Sequence, residues 1–471
     1  MSNSIHFDVS FKNSGKPARR RDSRQFRILI LGDFSGQGRK GDATAKPRSL
    51  QIDLDNLEQR LQQIAPSLNL TFGDQPEIAL PLEFSTLEDF HPDNLYDRVG
   101  LFNELRNLRE DLLNPKTFTE AAKRVTGDQA SNQPPEANEP PATENQTFAD
   151  LLGKPVAAEQ KAKPSHPAVT ALLNQFVAPH IVDEPGPEQD RLVASVDAAV
   201  AGQMREILHH ADFQRLESTW RGLDFLVSNL ELDEELSLYM LDLSKSQLAA
   251  GLSDPDMKAG SYLYKTVITE AGGTPGTVAW NLILGLYDFA AEDTDLLNAI
   301  AQLAQDANTT FIGGISYSSL LKEPSPAWEA MQKNSACASL CLSTPAVLLR
   351  LPYGANTDEI DRFEFEEMPD TPIRAQYLWG SAGLVCTALI AKTSGHDDLP
   401  PGSITQIDGL PVHSYRLEGE YAMTPCGGAW LSDTDADRLI QQGITPVLSV
   451  KNANAVRVLG FQSVAGGPVL V

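Results

Sequence analysis

Residues 26–31 read FRILIL, a short apolar run of the kind that forms a strand buried inside a sheet. Gly32, Asp33, Gly36 and Gly38 follow closely, and residues of these types turn the chain. A buried strand that ends in a turn is typical of an α/β fold when helices and further strands follow it. This strand therefore predicts an α/β unit, whose other elements should lie further along the chain.

The hundred residues after this strand contain the elements that such a unit needs. Apolar and polar residues alternate over residues 68–72 and 80–84, which predicts two strands. Over residues 94–113 the apolar residues recur at spacings of three and four, which predicts a helix with one apolar stripe: Leu95, Val99, Phe102, Leu105, Leu108 and Leu112. With a short helix near residues 118–125, residues 1–126 are predicted to form a small α/β domain.

A second α/β unit is predicted in the later part of the chain. Strands are expected at residues 236–243, 278–287 and 310–315, and a helix at 293–307 lies between the last two. This strand–helix–strand order implies a parallel pair with a right-handed crossover. Further elements are predicted at residues 377–392 (helix), 412–417 (strand), 433–442 (helix), 446–450 (strand) and 456–461 (strand). The predicted fold class is α/β, mixed α+β, with two such units.

A proline-rich stretch separates the two units. It carries Pro134, Pro135, Pro140, Pro141, Pro155 and Pro164 among Glu, Asn, Gln and Ala. Proline removes backbone donors and the stretch has little apolar surface to bury, so ordering it would cost entropy without compensation. We therefore expect a domain at 1–126, a disordered linker at 127–167 and a second domain at 168–471, each domain being a compact unit.

Composition limits the classes of partner. The 471 residues have a formal charge of −25, which would repel nucleic acid and anionic lipid. No apolar run is long enough to predict a membrane span. Four cysteines and an N-terminus without signal-peptide features predict a cytosolic protein with reduced thiols. The basic run at 16–27 (KPARRRDSRQFR) is expected to be a solvated arm, with a docking patch for an acidic surface on another copy as the alternative.

The first predicted element is a strand without a neighbouring partner. Ile5, Phe7, Val9 and Phe11 alternate with polar residues, and the following residues 13–17 form a loop rather than a tight hairpin turn. Such a strand either lies at the edge of its own domain or pairs with an edge on another copy.

Two short matches to cofactor-binding and metal-binding motifs are rejected because the surrounding residues do not fit the motif. Gly36, Gly38 and Gly41 match GxGxxG, but Pro47 and the lack of helical periodicity argue against the helix that a dinucleotide site needs. Residues 433–444 begin like an EF-hand loop but lack its glycine and its final glutamate. We therefore predict no catalytic residue, no cofactor and no metal site.

Several long motifs resemble a known family. Residues 26–37 (FRILILGDFSGQ) and the segments that follow, PRSLQIDLDNLEQRL and LFNELRNLREDLLN among them, resemble the small sheath subunit of type VI secretion systems, TssB or VipA. The segments ADFQRLESTWRGLDFLV, LLRLPYGA, FEFEE and YLWGSAG resemble the large sheath subunit, TssC or VipB. The motifs stand in the family's order from about Phe7 to Gln462, apart from the proline-rich stretch.

The resemblance implies a structural, non-enzymatic role. In this family, small and large subunits form a contractile sheath around a tube of Hcp, and the ClpV ATPase recycles the sheath. The implied partners are copies of the same chain, Hcp, other sheath or baseplate components and ClpV. Strands are exchanged between neighbouring family subunits, and residues 5–11 fall where the small subunit donates its strand.

Two departures leave the function open. The two subunits are joined in one chain, whereas the family usually encodes them separately. The large-subunit pattern ends at residues 460–471, where the family continues for roughly another fifty residues. A sheath subunit is therefore the first hypothesis, and an adaptor or regulator that caps, nucleates or limits a sheath is the alternative. An enzyme of unknown reaction and a sheath protein of a related phage-like device are the further alternatives.

Overall fold

The computed structural model describes residues 25–36, 49–72, 79–126, 188–253, 262–264, 266–267, 279–369, 371–394 and 403–469. The expected strand at residues 5–11 and the expected linker at 127–167 lie outside these ranges, so both stay predictions.

Strands and helices alternate along most of the described chain. The strands are β1 (Phe26–Gly32), β2 (Leu50–Ile52), β3 (Ser67–Thr71), β4 (Ala79–Glu83), β5 (Leu236–Asp242), β6 (Leu282–Phe289), β7 (Thr310–Ile315), β8 (Leu340–Thr344), β9 (Val347–Leu348), β10 (Trp379–Gly380), β11 (Gln406–Asp408), β12 (His413–Leu417), β13 (Glu420–Thr424), β14 (Ile444–Ser449) and β15 (Ala455–Val458). The helices are α1 (Leu57–Ile64), α2 (Pro92–Arg98), α3 (Gly100–Leu113), α4 (Phe118–Thr126), α5 (Glu188–Leu208), α6 (Ala211–Asn229), α7 (Lys245–Leu252), α8 (Thr294–Asp306), α9 (Pro326–Gln332), α10 (Ala382–Ser394) and α11 (Asp433–Gln441), with a single helical turn at Tyr262–Tyr264. Short 3₁₀ turns lie at Leu87–Phe90, Tyr317–Leu320, Ser335–Ser339 and Arg374–Gln376.

One nine-stranded sheet organises the molecule, in the order β11-β15-β14-β8-β7-β6-β1-β5-β2. Its six inner strands from β14 to β5 are parallel, while β2, β15 and β11 run antiparallel to their neighbours. Strand β1 comes from the N-terminal part of the chain but lies between β5 and β6, both from the C-terminal part. Three smaller pairs, β3-β4, β9-β10 and β12-β13, lie outside this sheet.

Both faces of the sheet are covered, and β1 contributes to each. Ile28 and Ile30 belong to the core on one face, which also takes residues from α3, α5, α6 and α10. Leu29 and Leu31 belong to the core on the other face, together with residues from α7, α8 and α9. All four side chains are fully buried. Strands buried on both faces read as nearly continuous apolar runs, which explains why FRILIL shows no alternation.

The expectation that each half closes its own compact core is wrong, although the mixed α/β class is confirmed. The halves share a sheet and a core, because β1 completes a sheet built mainly by the C-terminal half. The family resemblance of each half does not depend on this point. The boundaries proposed at residues 126 and 168 stay predictions.

Local predictions differ from the structure mainly at element ends. The helix expected at 94–113 is two helices, because Val99 has extended backbone angles between α2 and α3. The helix expected from residue 377 begins at Ala382, since Trp379–Gly380 pairs with Val347–Leu348 as a short strand. Cys337 and Cys341 are buried free thiols, and they lie in the 3₁₀ turn Ser335–Ser339 and in β8.

Candidate functional site

The contact between the two halves is centred on β1, which pairs with β5 on one side and β6 on the other. The Phe26 N–H donates to the Glu235 carbonyl at 2.5 Å, at the amino end of β1. At the carboxyl end, the Leu243 N–H donates to the Gly32 carbonyl at 2.8 Å. Between them, β1 pairs with all seven residues of β5. This register fixes how the N-terminal half sits in the sheet.

Side-chain contacts strengthen the junction within β1 and just after it. Arg27 stacks its guanidinium over the rings of Tyr239 and Trp280, with 4.6 Å and 4.1 Å to the ring centroids. After β1, the Trp220 indole N–H donates to the Phe34 carbonyl at 2.9 Å, and these two rings meet edge to face. Each contact joins a residue of the N-terminal half to one of the C-terminal half.

A second contact joins α2 to the loop after β9. The Asp93 carboxylate accepts from the Asp361 N–H at 3.2 Å and from the Arg362 N–H at 3.0 Å. The rings of Tyr96 and Phe363 stack with centroids 4.7 Å apart. The loop from Pro352 to Phe365 therefore forms a platform for α2.

A buried cluster of charges underlies this loop. The Arg350 guanidinium donates to Glu217 on α6, with Nε at 2.8 Å from Oε1. Its Nη1 donates to Glu367 Oε2 at 2.8 Å, and Nη2 donates to Glu367 Oε1 at 3.2 Å. Glu217 and Glu367 are 0% and 1% exposed, so both carboxylates depend on these partners.

Arg221 and Tyr353 form further hydrogen bonds within the cluster. The Arg221 Nε donates to Glu217 Oε1 at 2.7 Å, and Arg221 Nη2 lies 3.1 Å from the Tyr353 hydroxyl. The Tyr353 N–H donates to Glu367 Oε2 at 2.9 Å. Two cations and two carboxylates therefore balance, with His209 Nε2 a further 3.4 Å from Glu367.

The pKa values of the cluster follow from burial and from these charges. Burial raises the pKa of Glu367, but the Arg350 charge and the hydrogen bonds outweigh it and lower that pKa to about 2. Burial lowers the pKa of Arg350, but Glu217 and Glu367 raise it well above its usual value. Both groups are thus charged at neutral pH, and the cluster holds the loop under α2 in one position.

Sequence reasoning did not identify this cluster. Its members lie in three segments that carry the family resemblance: Glu217 in ADFQRLESTW, Arg350 in LLRLPYGA and Glu367 in FEFEE. A signal was present, because Arg350 interrupts the apolar run AVLLRLPY. Charged residues inside such runs are buried only when they are paired.

A half-open cleft of about 1250 Å³ lies at the carboxyl ends of β1, β5 and β6. This is the edge where open α/β sheets bind ligands. In this cleft, lining polar groups form hydrogen bonds with each other. The Lys245 ammonium donates to Asp293 Oδ2 and to the Asp288 carbonyl, each at 2.7 Å. At Gly36 the backbone has a φ of +70° and packs against Leu68, which fits a tight turn. Gly38 and Gly41 lie outside the described residues.

The residues predicted for strand exchange, Ile5, Phe7, Val9 and Phe11, lie outside the described part of the chain. Among the described residues, no group of three or more His, Cys, Asp or Glu side chains is placed to hold a metal ion. No helix of the described ranges is long and apolar enough to cross a bilayer.

Comparison with known proteins gives the class of the protein. Residues 190–324 and 318–465 match the family described as "EvpB/VC_A0108, tail sheath N-terminal domain" (VipB), so the chain belongs to the tail-sheath proteins. Residues 7–127 match "Type VI secretion system, VipA, VC_A0107 or Hcp2". The chain thus joins a VipA-like part to a VipB-like part, and the predicted resemblance to a TssB/TssC sheath fusion is confirmed.

Two curated relatives come from Pseudomonas aeruginosa strain PAO1. The type VI secretion system sheath protein TssC1 is 28% identical over 306 residues, which are 58% of this chain and 61% of TssC1. The sheath protein TssB1 is 26% identical over 120 residues, which are 24% of this chain and 67% of TssB1. The match thus spans about three fifths of TssC1. Strand β1 belongs to the TssB-like part, and the strands on either side of it, β5 and β6, belong to the TssC-like part.

Proposed function

We propose that this chain is a structural building block of a type VI contractile sheath. It assembles with copies of itself around an Hcp tube in the bacterial cytoplasm, and it has no catalytic role. The family is a family of structural sheath proteins, and the net charge of −25 disfavours nucleic acid or an anionic membrane as the main partner.

The observation that carries the proposal is the position of β1. A strand of the TssB-like part completes the sheet of the TssC-like part, so a single chain supplies both sheath subunits in a one-to-one ratio. A covalent connection also raises the effective concentration of the two parts to about millimolar when the connecting segment is flexible.

Electron microscopy of negatively stained samples tests this proposal. The purified chain is incubated over a range of concentrations, with and without preformed Hcp tubes. We expect tubular assemblies that are wider than Hcp tubes alone. Separate chains at every concentration, with and without Hcp, would contradict the proposal.

We further propose that the strand at residues 5–11 pairs with a neighbouring copy. Phe7→Pro with Val9→Pro removes two backbone donors and part of the apolar face, so assembly should fail while far-ultraviolet circular dichroism is unchanged. Asn13→Pro, in the predicted loop, is the matched control and should assemble normally. Normal assembly of the double variant would exclude exchange of this strand.

The alternative role, as a cap or regulator, gives a different result in a mixing experiment. Added to sheath subunits encoded as separate chains, a regulator shortens the tubes in proportion to its dose, whereas a building block is incorporated along their length. Fluorescently labelled chain distinguishes the two outcomes. Pull-down with purified Hcp, baseplate components and ClpV tests the remaining proposed partners.

A further inference from the structure

The hairpin of β12 and β13 is attached to the rest of the molecule at its base. It forms a two-stranded sheet of its own, in which His413 pairs with Thr424 and Leu417 with Glu420. Among residues 413–424, all of which the structure describes, only His413 is buried. An isolated two-stranded hairpin is marginally stable in water, so this hairpin depends on the contacts at its base.

The buried imidazole of His413 contacts a tyrosine of the main body. The Tyr377 hydroxyl lies 2.7 Å from His413 Nδ1 and 2.8 Å from Thr424 Oγ1. Its proton can be donated to Nδ1 while the Thr424 hydroxyl donates to the Tyr377 oxygen, so a neutral imidazole satisfies all three groups. Next to Tyr377, the Leu378 carbonyl accepts from the Leu349 N–H at 3.1 Å, which ties this segment to the body.

The surroundings of His413 favour its neutral form. The rings of Tyr377 and Tyr415 pack against the imidazole, with centroid distances of 5.7 Å and 5.6 Å. Burial raises the pKa of Tyr377 to about 12, so its hydroxyl keeps its proton. The charged groups that act on His413 are the carboxylates of Glu367 and Glu366. Burial lowers the pKa of His413 and outweighs both carboxylates, which raise it.

Both carboxylates have partners of their own. Glu367 Oε2 accepts from Arg350 Nη1 at 2.8 Å, and Glu366 Oε1 accepts from the Ala355 N–H at 3.0 Å. A protonated His413 would therefore place a charge in a buried position where the nearby carboxylates already have donors. Its Nδ1 could then only donate, so the hydrogen bond with the tyrosine hydroxyl would have to reverse.

We propose that the contact between His413 and Tyr377 is a pH-sensitive switch, which holds the hairpin against the body while the imidazole is neutral and releases it when the imidazole gains a proton. The two states differ in whether residues 413–424 pack on the body. This conformational device goes beyond the proposed sheath role and does not depend on it.

Acid, rather than base, should release the hairpin. The pKa of His413 in the folded chain lies below its usual value of 6.5, so the contact stabilises the attached hairpin above about pH 6.5. This stabilisation is lost as the pH falls through the lowered pKa. Glu367 has a pKa of about 2 and stays charged over this range, so the buried charge cluster is not the group that titrates.

Hydrogen–deuterium exchange followed by mass spectrometry tests the switch in the full chain. Exchange of peptides from residues 413–424 is measured from about pH 5 to about pH 8, where histidine titrates, and corrected for the intrinsic rate at each pH. Release should reduce the protection of the hairpin by up to about tenfold per pH unit below the lowered pKa. Peptides from β6 and β7 should keep their protection in the same samples.

Three variants show whether the imidazole is the responsible group. His413→Asn places a neutral oxygen near the position of Nδ1, so the hairpin should stay protected across the whole range. Tyr377→Phe removes the hydroxyl, so protection should be low at every pH. His210→Asn is the matched control, because His210 Nδ1 accepts from the Asp212 N–H at 3.2 Å and asparagine also caps helices. In this control the hairpin should respond to pH as in the wild type.

Loss of protection below about pH 6.5 in the wild type, together with constant protection in His413→Asn, would support the switch. Protection of the wild-type hairpin that does not change with pH would overturn it. An equal loss in His413→Asn, or no loss in His210→Asn, would also overturn it. Thermal melting shows whether each variant is folded, and the wild type with Tyr377→Phe suffices if His413→Asn is not. Exchange is measured on separate chains, so failure to form tubes would contradict the sheath role alone.

Discussion

Replacing Arg350 with methionine tests how strongly the buried charge cluster stabilises the fold. Methionine has a similar length and no charge, so Glu367 loses the two N–H donors of the Arg350 guanidinium, while Glu217 keeps its hydrogen bond from Arg221. Both carboxylates remain buried. Removing one partner of a buried ion pair costs about 3–5 kcal/mol, and we expect a loss in that range.

Two further variants show whether the charges cause this loss. In Arg350→Met with Glu367→Gln, the uncompensated charge is removed and the Glu217–Arg221 pair stays, so about half of the lost stability should return. Arg109→Met removes an ion pair of the same chemistry, because Arg109 Nε donates to Asp197 at 2.6 Å between α3 and α5. These side chains are 41% and 48% exposed, and exposed pairs contribute below about 1 kcal/mol.

Urea unfolding followed by tryptophan fluorescence measures the change, since Trp220 and Trp328 are fully buried. The free-energy change is taken from the shift in midpoint at constant slope. A loss below about 1 kcal/mol, equal to that of Arg109→Met, would refute the reasoning. It would mean that the loop under α2 keeps its position without the cluster.

Three further predictions follow from the fold. Residues 188–471 expressed alone should aggregate, because the absence of β1 leaves a gap about 9–10 Å wide between β5 and β6. Co-expression with residues 1–126 should fill this gap and give a one-to-one complex by light scattering. A folded, monomeric fragment would contradict this prediction. Glu367 has a pKa of about 2 in the folded chain against a usual 4.5, so it stabilises the fold above about pH 4.5 and this stabilisation is lost as the pH falls toward 2; Glu367→Gln should flatten that part of a stability–pH curve, and an unchanged curve would argue against it. The four cysteine thiols are buried, and burial raises their pKa: Cys337, Cys341, Cys386 and Cys426. A thiol reagent should therefore label them only after unfolding. Rapid labelling of the folded chain would count against the structure.

Strands that have a clear local pattern of apolar residues could be predicted from the sequence. FRILIL predicts a doubly buried strand because its apolar run has no polar face, and alternation over residues 68–72 and 80–84 predicts β3 and β4. The strands that pair with β1 could not be predicted from the sequence, since Ile30 pairs with Met240 and Leu284, which lie more than 200 residues further along the chain. Local patterns carry no information about such partners.

The break between α2 and α3 and the buried charges were missed for different physical reasons. The apolar stripe continues in phase through Val99, so periodicity alone gives one helix where the structure has two. Glu217, Arg350 and Glu367 belong to residue types that are usually exposed, and their burial depends on partners 17 to 133 residues away. The long motifs of the family marked these positions without stating their chemistry.

Cryo-electron microscopy of the assembled chain tests most directly whether one polypeptide supplies both sheath subunits. We expect a helical tube whose repeating unit has the mass of one chain and contains one nine-stranded sheet, with β1 between β5 and β6. A tube in which the TssB-like and TssC-like parts form separate sheets would contradict this account. So would fields that contain only separate chains, with and without Hcp.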